Sequence, residues 1–261
     1  MSDGATSDAA RRAGFWRRAA AFLVDLAVVS IPLQIVVAML FAWTNGGIQG
    51  GFGFVLKTCS PVGGLPPGLQ TKIADPTSFV DCRSSLLGAD TSRYLLVARS
   101  ETQGATTTGV FETFWLDSSG QLAELPVYNV SWIAGLALLA YFVGMEGLRG
   151  QTVGKRLLGI RTIVISRGRT IGAGIYRALA RRLAMMLFTL ATLPAWAMAA
   201  WNGDDMAAVP QLLVDPTYRA VNLAGIALGV AWFVWITVSM ARKRDPIYDR
   251  IVGTAVIRTS S

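Results

Sequence analysis

From Phe15 to Trp43 the chain reads FWRRAAAFLVDLAVVSIPLQIVVAMLFAW, an apolar run entered through Arg17 and Arg18 and holding a single acid, Asp25. At ~1.5 Å rise per residue this run exceeds a ~30 Å hydrocarbon core, so it predicts a transmembrane helix over 15–43 that tilts, kinks at Pro32 or protrudes. Three further apolar runs predict spans at 128–147, 183–201 and 221–241. Between the first two runs, residues 44–127 open Gly-rich and pass through SPVGGLPPGLQ. They then offer the strand-like runs RYLLVARS and GVFETFWLD, and the turn signal SSG leads into QLAELPVY. Short runs bounded by Gly, Pro and Ser clusters predict a small β-rich insertion. Residues 148–182 form a basic loop, 202–220 a polar loop and 242–261 a charged tail, while 1–14 lack an apolar period and read as a disordered arm. The expected fold class is an all-α membrane protein with four transmembrane helices, carrying the β-rich insertion between helices 1 and 2.

The placement of charge predicts topology. The arm and first turn, the 148–182 loop and the tail hold 18 of the 24 Lys and Arg residues, and 148–182 holds nine with no acid. The 202–220 loop has one basic residue, and it shares ten acids with 44–127. Positive charge favours the cytoplasmic side of short loops, so both termini and 148–182 are expected there, with 44–127 and 202–220 outside. The net charge of +8 thereby reads as topology and contact with anionic lipid headgroups on the cytoplasmic side, rather than nucleic-acid binding. The apolar stretch is too long for a signal h-region, so an uncleaved first span is expected. The two cysteines, Cys59 and Cys82, both fall in 44–127, where an oxidising compartment permits a structural disulfide. With 52% hydrophobic residues and no histidine, the chain lacks the commonest general base and metal ligand, and no metal site, cofactor or enzymatic activity is expected.

Three stretches carry candidate chemistry. Arg18 and Asp25 lie two turns apart on one helix face, about 10 Å along the axis, too far for a direct bond but on one polar stripe. Arg18 is expected to snorkel to the surface. An acid inside a span costs about 2.5–3.5 kcal/mol at the centre, so Asp25 marks a paired site or a polar pathway. Glu146 closes the second run. The stretch GLRGQTVGKRLLGIRTIVISRGRT, 147–170, superficially resembles a phosphate loop. Its spacing is GxxxGK, however, and Arg156 stands where Ser or Thr would hold magnesium. It reads as a Gly-hinged turn with Lys155 and Arg156 at the headgroups, followed by a strand-like segment. An amphipathic helix comes next, with Arg177 and Arg181 on one face. In the tail, Asp245-Pro246 signals a turn, and Tyr248, Asp249 and Arg250 precede a β-prone run, 251–258, able to tuck back against the helices.

Together, RxxAxxxD at Arg18, Ala21 and Asp25, the block Gly150–Arg161 with Gly150, Thr152, Gly154, Lys155 and Arg161, the arginines around 177–181 and the closing YDRIVGTAVI resemble the RDD family of bacterial membrane proteins. The matching positions of its arginine and two aspartates are Arg18, Asp25 and Asp249, in a domain of about 15–258. Two features depart from the family pattern: Tyr248 stands where histidine is frequent, and 44–127 is longer than the family core needs. The resemblance implies a multi-pass protein of the bacterial inner membrane and transport of an ion or small solute, including cation/proton exchange. On this reading Arg18, Asp25, Glu146 and Asp249 form the polar cluster, and a homo-oligomer or a second membrane protein completes a carrier. The alternative is a non-transporting scaffold, assembly factor or sensor that displays 44–127.

Overall fold

A computed structural model describes residues 12–66, 68–103, 106–124, 126–165, 174–185, 216–242 and 244–259. Six helices and eight strands occur among them, in the order α1 (Phe15–Trp43), β1 (Ile48–Gln49), β2 (Leu56–Pro61), β3 (Ser78–Leu86), β4 (Ala89–Gln103), β5 (Thr106–Trp115), β6 (Tyr128–Asn129), α2 (Trp132–Arg149), α3 (Val153–Leu157), β7 (Ile160–Val164), α4 (Ile175–Met185), α5 (Pro216–Ala241), α6 (Ile247–Val252) and β8 (Thr254–Arg258).

The all-α, four-span expectation is corrected by this architecture. Strands account for 26% of the described residues. Among the described residues three helical stretches are long and apolar enough to cross a membrane: Phe15–Trp43, Trp132–Arg149 and Arg219–Ala241. Of the span expected at 183–201, the first three residues close α4, and 186–201 lie outside the described residues. The second run begins later than expected, because Tyr128 and Asn129 pair in parallel with Ile48 and Gln49 before the helix starts. Sheet content was underestimated because β2, LKTCSP, is polar and exposed along its whole length, so it carries no apolar alternation to betray it.

The chain divides into two compact units, Ala27–Leu138 and Met1–Leu26 with Leu139–Ser261. In the first, an antiparallel sheet of order β2-β3-β4-β5 packs Leu95, Val97 and Leu116 against Leu65, Leu69, Ile73, Phe79 and Phe114. Cys59 and Cys82 face each other in the β2–β3 register and are joined by a disulfide. Arg93 is held by the Asp81 carboxylate at 2.6 Å. The wholly buried Gln49 donates to the Gly46 and Leu116 carbonyls and accepts from the Arg93 amide. Gly46 has a φ of +83°, and a Cβ there would lie 2.8 Å from Asp117 Cα, so the turn after α1 requires glycine.

In the second unit, β7 and β8 pair antiparallel from Ile160↔Arg258 to Val164↔Thr254. Ile160 and Val256 pack with Ala13 and Ala21. Ile236 and Met240 of α5 pack on Tyr248 of α6, with Phe15 and Met185 beside them. The tail's apolar residues thus cover one flank of the polar groups described next.

Candidate functional site

The unit formed by Met1–Leu26 and Leu139–Ser261 holds two sets of buried polar side chains. Asp25 is the centre of the first, at 1% exposure. Its Oδ1 accepts from the Tyr141 hydroxyl at 2.8 Å and the Gly154 amide at 2.7 Å, and its Oδ2 accepts from the Thr152 hydroxyl at 2.5 Å. Local sequence explains the convergence. Thr152 is the N-cap of α3 and accepts from the Lys155 amide, which leaves its own hydrogen free for Asp25. The Tyr141 hydroxyl likewise accepts from the Val153 amide while donating to Asp25. Gly154 allows α3 to touch α1, since a Cβ there would fall 2.0 Å from the Ala21 carbonyl oxygen. Among the described residues no Lys or Arg is ion-paired to Asp25.

The second set is ionic. Asp249, wholly buried, accepts from Arg18 Nη1 at 3.2 Å, from Arg181 Nε at 2.5 Å and from the Thr254 hydroxyl at 3.0 Å. Arg181 reaches on to Glu146 Oε2 at 2.5 Å, while Lys155 Nζ lies 2.9 Å from Glu146 Oε1 and 2.7 Å from the Thr162 hydroxyl. Arg182 also bonds Glu146, and its guanidinium sits 3.7 Å from the centroid of the Phe142 ring, a cation–π contact. Arg18 further donates to the carbonyls of Ala13 and Val256. The set therefore holds two carboxylates against three arginines and one lysine. Arg181 spans both acids: burial works to strip its proton, the Asp249 and Glu146 charges outweigh it, and its pKa is raised. For Lys155 burial dominates over the Glu146 attraction, Arg181 and Arg182 add repulsion, and its pKa is pushed down to about 7. Beside this set Asp245 pairs with Arg12 at 2.9 Å, and burial raises its carboxyl above the usual value.

Of the four residues expected to cluster, Arg18, Glu146 and Asp249 are linked through Arg181, and Asp25 belongs to a separate set with different partners. Within the Gly150–Arg161 block, Thr152 and Gly154 serve Asp25, whereas Lys155 serves Glu146. Gly150 makes the turn out of α2 with a φ of +67° and accepts from the Thr162 amide, and Arg161 lies on β7. Two expectations need correction. Lys155, read as facing the headgroups, is buried at 7% exposure because Glu146 lies within reach. Arg18, read as snorkelling to the surface, is drawn inward by Asp249 and two carbonyls. Arg177 and Arg181 also part company: Arg177 is exposed and Arg181 buried. Tyr141, Thr162, Arg182 and Thr254 were not singled out from sequence. Tyr141 had a signal, since a tyrosine hydroxyl within a span needs a partner, but the three others carried none. Among the described residues no three of His, Cys, Asp and Glu come together as metal ligands would.

Among the described residues three apolar helices are long enough to span a bilayer, and two of them carry buried charged residues, Asp25 and Glu146; the class is an integral membrane protein. The model of the RDD family matches residues 105–253, more than half of the 261 residues, and the chain belongs to that family. The matched range takes in Glu146, the Gly150–Arg161 block, Arg181 and Asp249. It stops short of α1, so the place of Arg18 and Asp25 in the site rests on the geometry above. No curated protein and no solved structure matches the chain.

Proposed function

We propose that this protein passes an ion or small solute across the bacterial inner membrane by cation/proton exchange, with Asp25 as the residue that takes up and releases the proton. The observation that carries this reading is the state of Asp25: a carboxylate inside an apolar helix, held by two hydroxyls and one amide, with no cation bonded to it. Glu146 and Asp249 are each fixed by arginine, so losing their charge would leave buried guanidinium groups unpaired. Asp25 faces no such constraint. The Tyr141 and Thr152 hydroxyls rotate to suit either protonation state of the acid. In this scheme Arg18 is the fixed positive charge two turns away, and Asp249 anchors it rather than acting as a gate. The chain does no covalent chemistry. Positive charge in the 148–182 loop and the tail puts those segments on the cytoplasmic side, against anionic headgroups, and a carrier of this size works as an oligomer. The test is proton flux driven by a cation gradient in proteoliposomes. Asp25→Asn, inserted and folded as the parent, is expected to abolish it, and undiminished flux would sink the proposal.

A second reading, a scaffold or sensor, is favoured by a different observation. Ala27–Leu138 forms a compact unit of its own with a disulfide and a buried Gln49–Arg93 hydrogen-bond core, more structure than a loop between helices requires. Deletion of 50–124 separates the readings, because flux survives it in a transporter and signalling or assembly is lost in a sensor.

A further inference from the structure

A cavity of about 660 Å³ lies between the end of α2, α3 and β7, well within the size range of ligand sites. Its walls belong to neither polar set apart from Thr152. Arg149 from the last turn of α2, Arg156 from α3 and Arg161 from β7 all border it, with no acid beside them. Among the described residues none of these three arginines has a carboxylate partner, and the Arg161 Nε is buried without a hydrogen-bond acceptor. An orphaned charged donor is costly to bury, and Arg149 and Arg156, both exposed, add positive charge to the same cavity with no acid to offset it. The remaining wall is apolar: Met145, Leu148 and Leu157 line the same cavity. Leu148 and Leu157 stand 66% and 70% exposed.

We propose that this cavity is a binding site for a phosphate-bearing amphiphile, an anionic phospholipid whose phosphate sits among Arg149, Arg156 and Arg161. Guanidinium forks match phosphate oxygens bidentately. A free phosphate compound would satisfy the arginines but leave Leu148 and Leu157 wet, whereas the glycerol and upper acyl carbons of a lipid cover them. Arg149 closes a helix of transmembrane length, at the level where headgroups lie. The site is independent of whether the chain transports anything.

The experiment uses the full chain in neutral detergent, titrated with phosphatidylglycerol or with phosphatidylcholine of the same acyl chains, binding being followed by native mass spectrometry and thermal shift. Phosphatidylglycerol is expected to bind at least tenfold more tightly. The double variant Arg156→Gln/Arg161→Gln is expected to lose that preference, and Arg83→Gln, an exposed arginine of β3, to keep it. Equal binding of the two lipids by the parent protein overturns the proposal even if the double variant fails to fold, and so does an unchanged preference in a folded double variant. Glycerol 3-phosphate binding as tightly as phosphatidylglycerol would make the ligand a soluble phosphate compound and overturn the lipid assignment.

Discussion

Substituting Gly154 with alanine probes the contact on which the Asp25 set depends. The new methyl carbon would stand 2.0 Å from the Ala21 carbonyl oxygen, 2.9 Å from the Ala21 carbonyl carbon and 3.0 Å from Asp25 Cγ. A carbon and a carbonyl oxygen approach no closer than about 3.3 Å even in weak hydrogen bonds, so α3 must retreat from α1 by roughly 1 Å. That movement stretches the 2.7 Å bond from the Gly154 amide past useful length. Overpacking costs about 1–3 kcal/mol, and losing one hydrogen bond to a charged group costs about 1.5–3 kcal/mol more. The sum, about 2.5–6 kcal/mol, corresponds to a fall of roughly 10 °C in melting temperature for a chain of this size. The assay is thermal melting of the purified protein in detergent, followed by size-exclusion recovery. Gly144→Ala, at a position of α2 where a Cβ meets nothing within 4 Å, is the control and should melt with the parent. If Gly154→Ala melts with it too, α3 does not approach α1 as described and the geometry at Asp25 is wrong.

Further outcomes follow from the same structure. Arg181→Ala leaves Glu146 and Asp249 each short of a partner, and breaking such a buried ionic link is expected to cost about 3–5 kcal/mol in denaturant titrations. Because Lys155 is pushed from 10.5 down to about 7, the unfolded chain binds a proton that the folded chain lacks between those values, so stability rises as pH increases through that window. The rise is expected to stop near pH 10, where Tyr248, its pKa raised by burial, begins to favour the folded state less. Melting curves between pH 7 and 10 should show the climb, and Lys155→Met should flatten it. Reducing the Cys59–Cys82 bridge, which spans 23 positions, is expected to cost the β2–β5 sheet about 3 kcal/mol, seen as faster amide hydrogen exchange in β2 with that of α4 unchanged.

How far the sequence announced this structure differs from one segment to the next. The apolar runs at 15–43 and 221–241 are unmistakable because nothing but a buried or membrane helix sustains that length. RYLLVARS falls within β4 and the first seven residues of GVFETFWLD within β5, where aromatic and β-branched residues mark strands. LKTCSP gave no such sign, because an exposed edge strand needs no apolar face; SFVDCRSSL lies inside the sheet but is polar at most of its positions, and among the described residues QLAELPVY contributes the bridge of Leu122 to Leu116 and, at its last residue, Tyr128 of β6. The β-prone runs on either side of β7 and β8 were both visible, but their mutual pairing was not, since register across about ninety residues is set by tertiary contacts. Charge was the least legible. A lysine after a helix reads as solvent-facing by default, and only the location of Glu146 one turn from the end of α2 reveals that Lys155 folds inward. Arg182 gave no hint of its role, because the sequence pattern put Arg177 and Arg181 on one face of an amphipathic helix and adjacent helical residues point about 100° apart.

The Arg18–Asp249 pair joins residues 231 positions apart, and this separation sets a timetable for biogenesis. At about 5–20 residues per second, Arg18 leaves the ribosome roughly ten to fifty seconds before Asp249 and the Val256 carbonyl exist to receive it. Asp25 waits for a shorter interval, since Tyr141, Thr152 and Gly154 are made some 116 to 129 positions later. The first helix therefore enters the membrane with its acid and its arginine unanswered, and the two are satisfied in sequence, the acid first. A nascent chain arrested before the tail would carry a sheltered Asp25 and an orphaned Arg18.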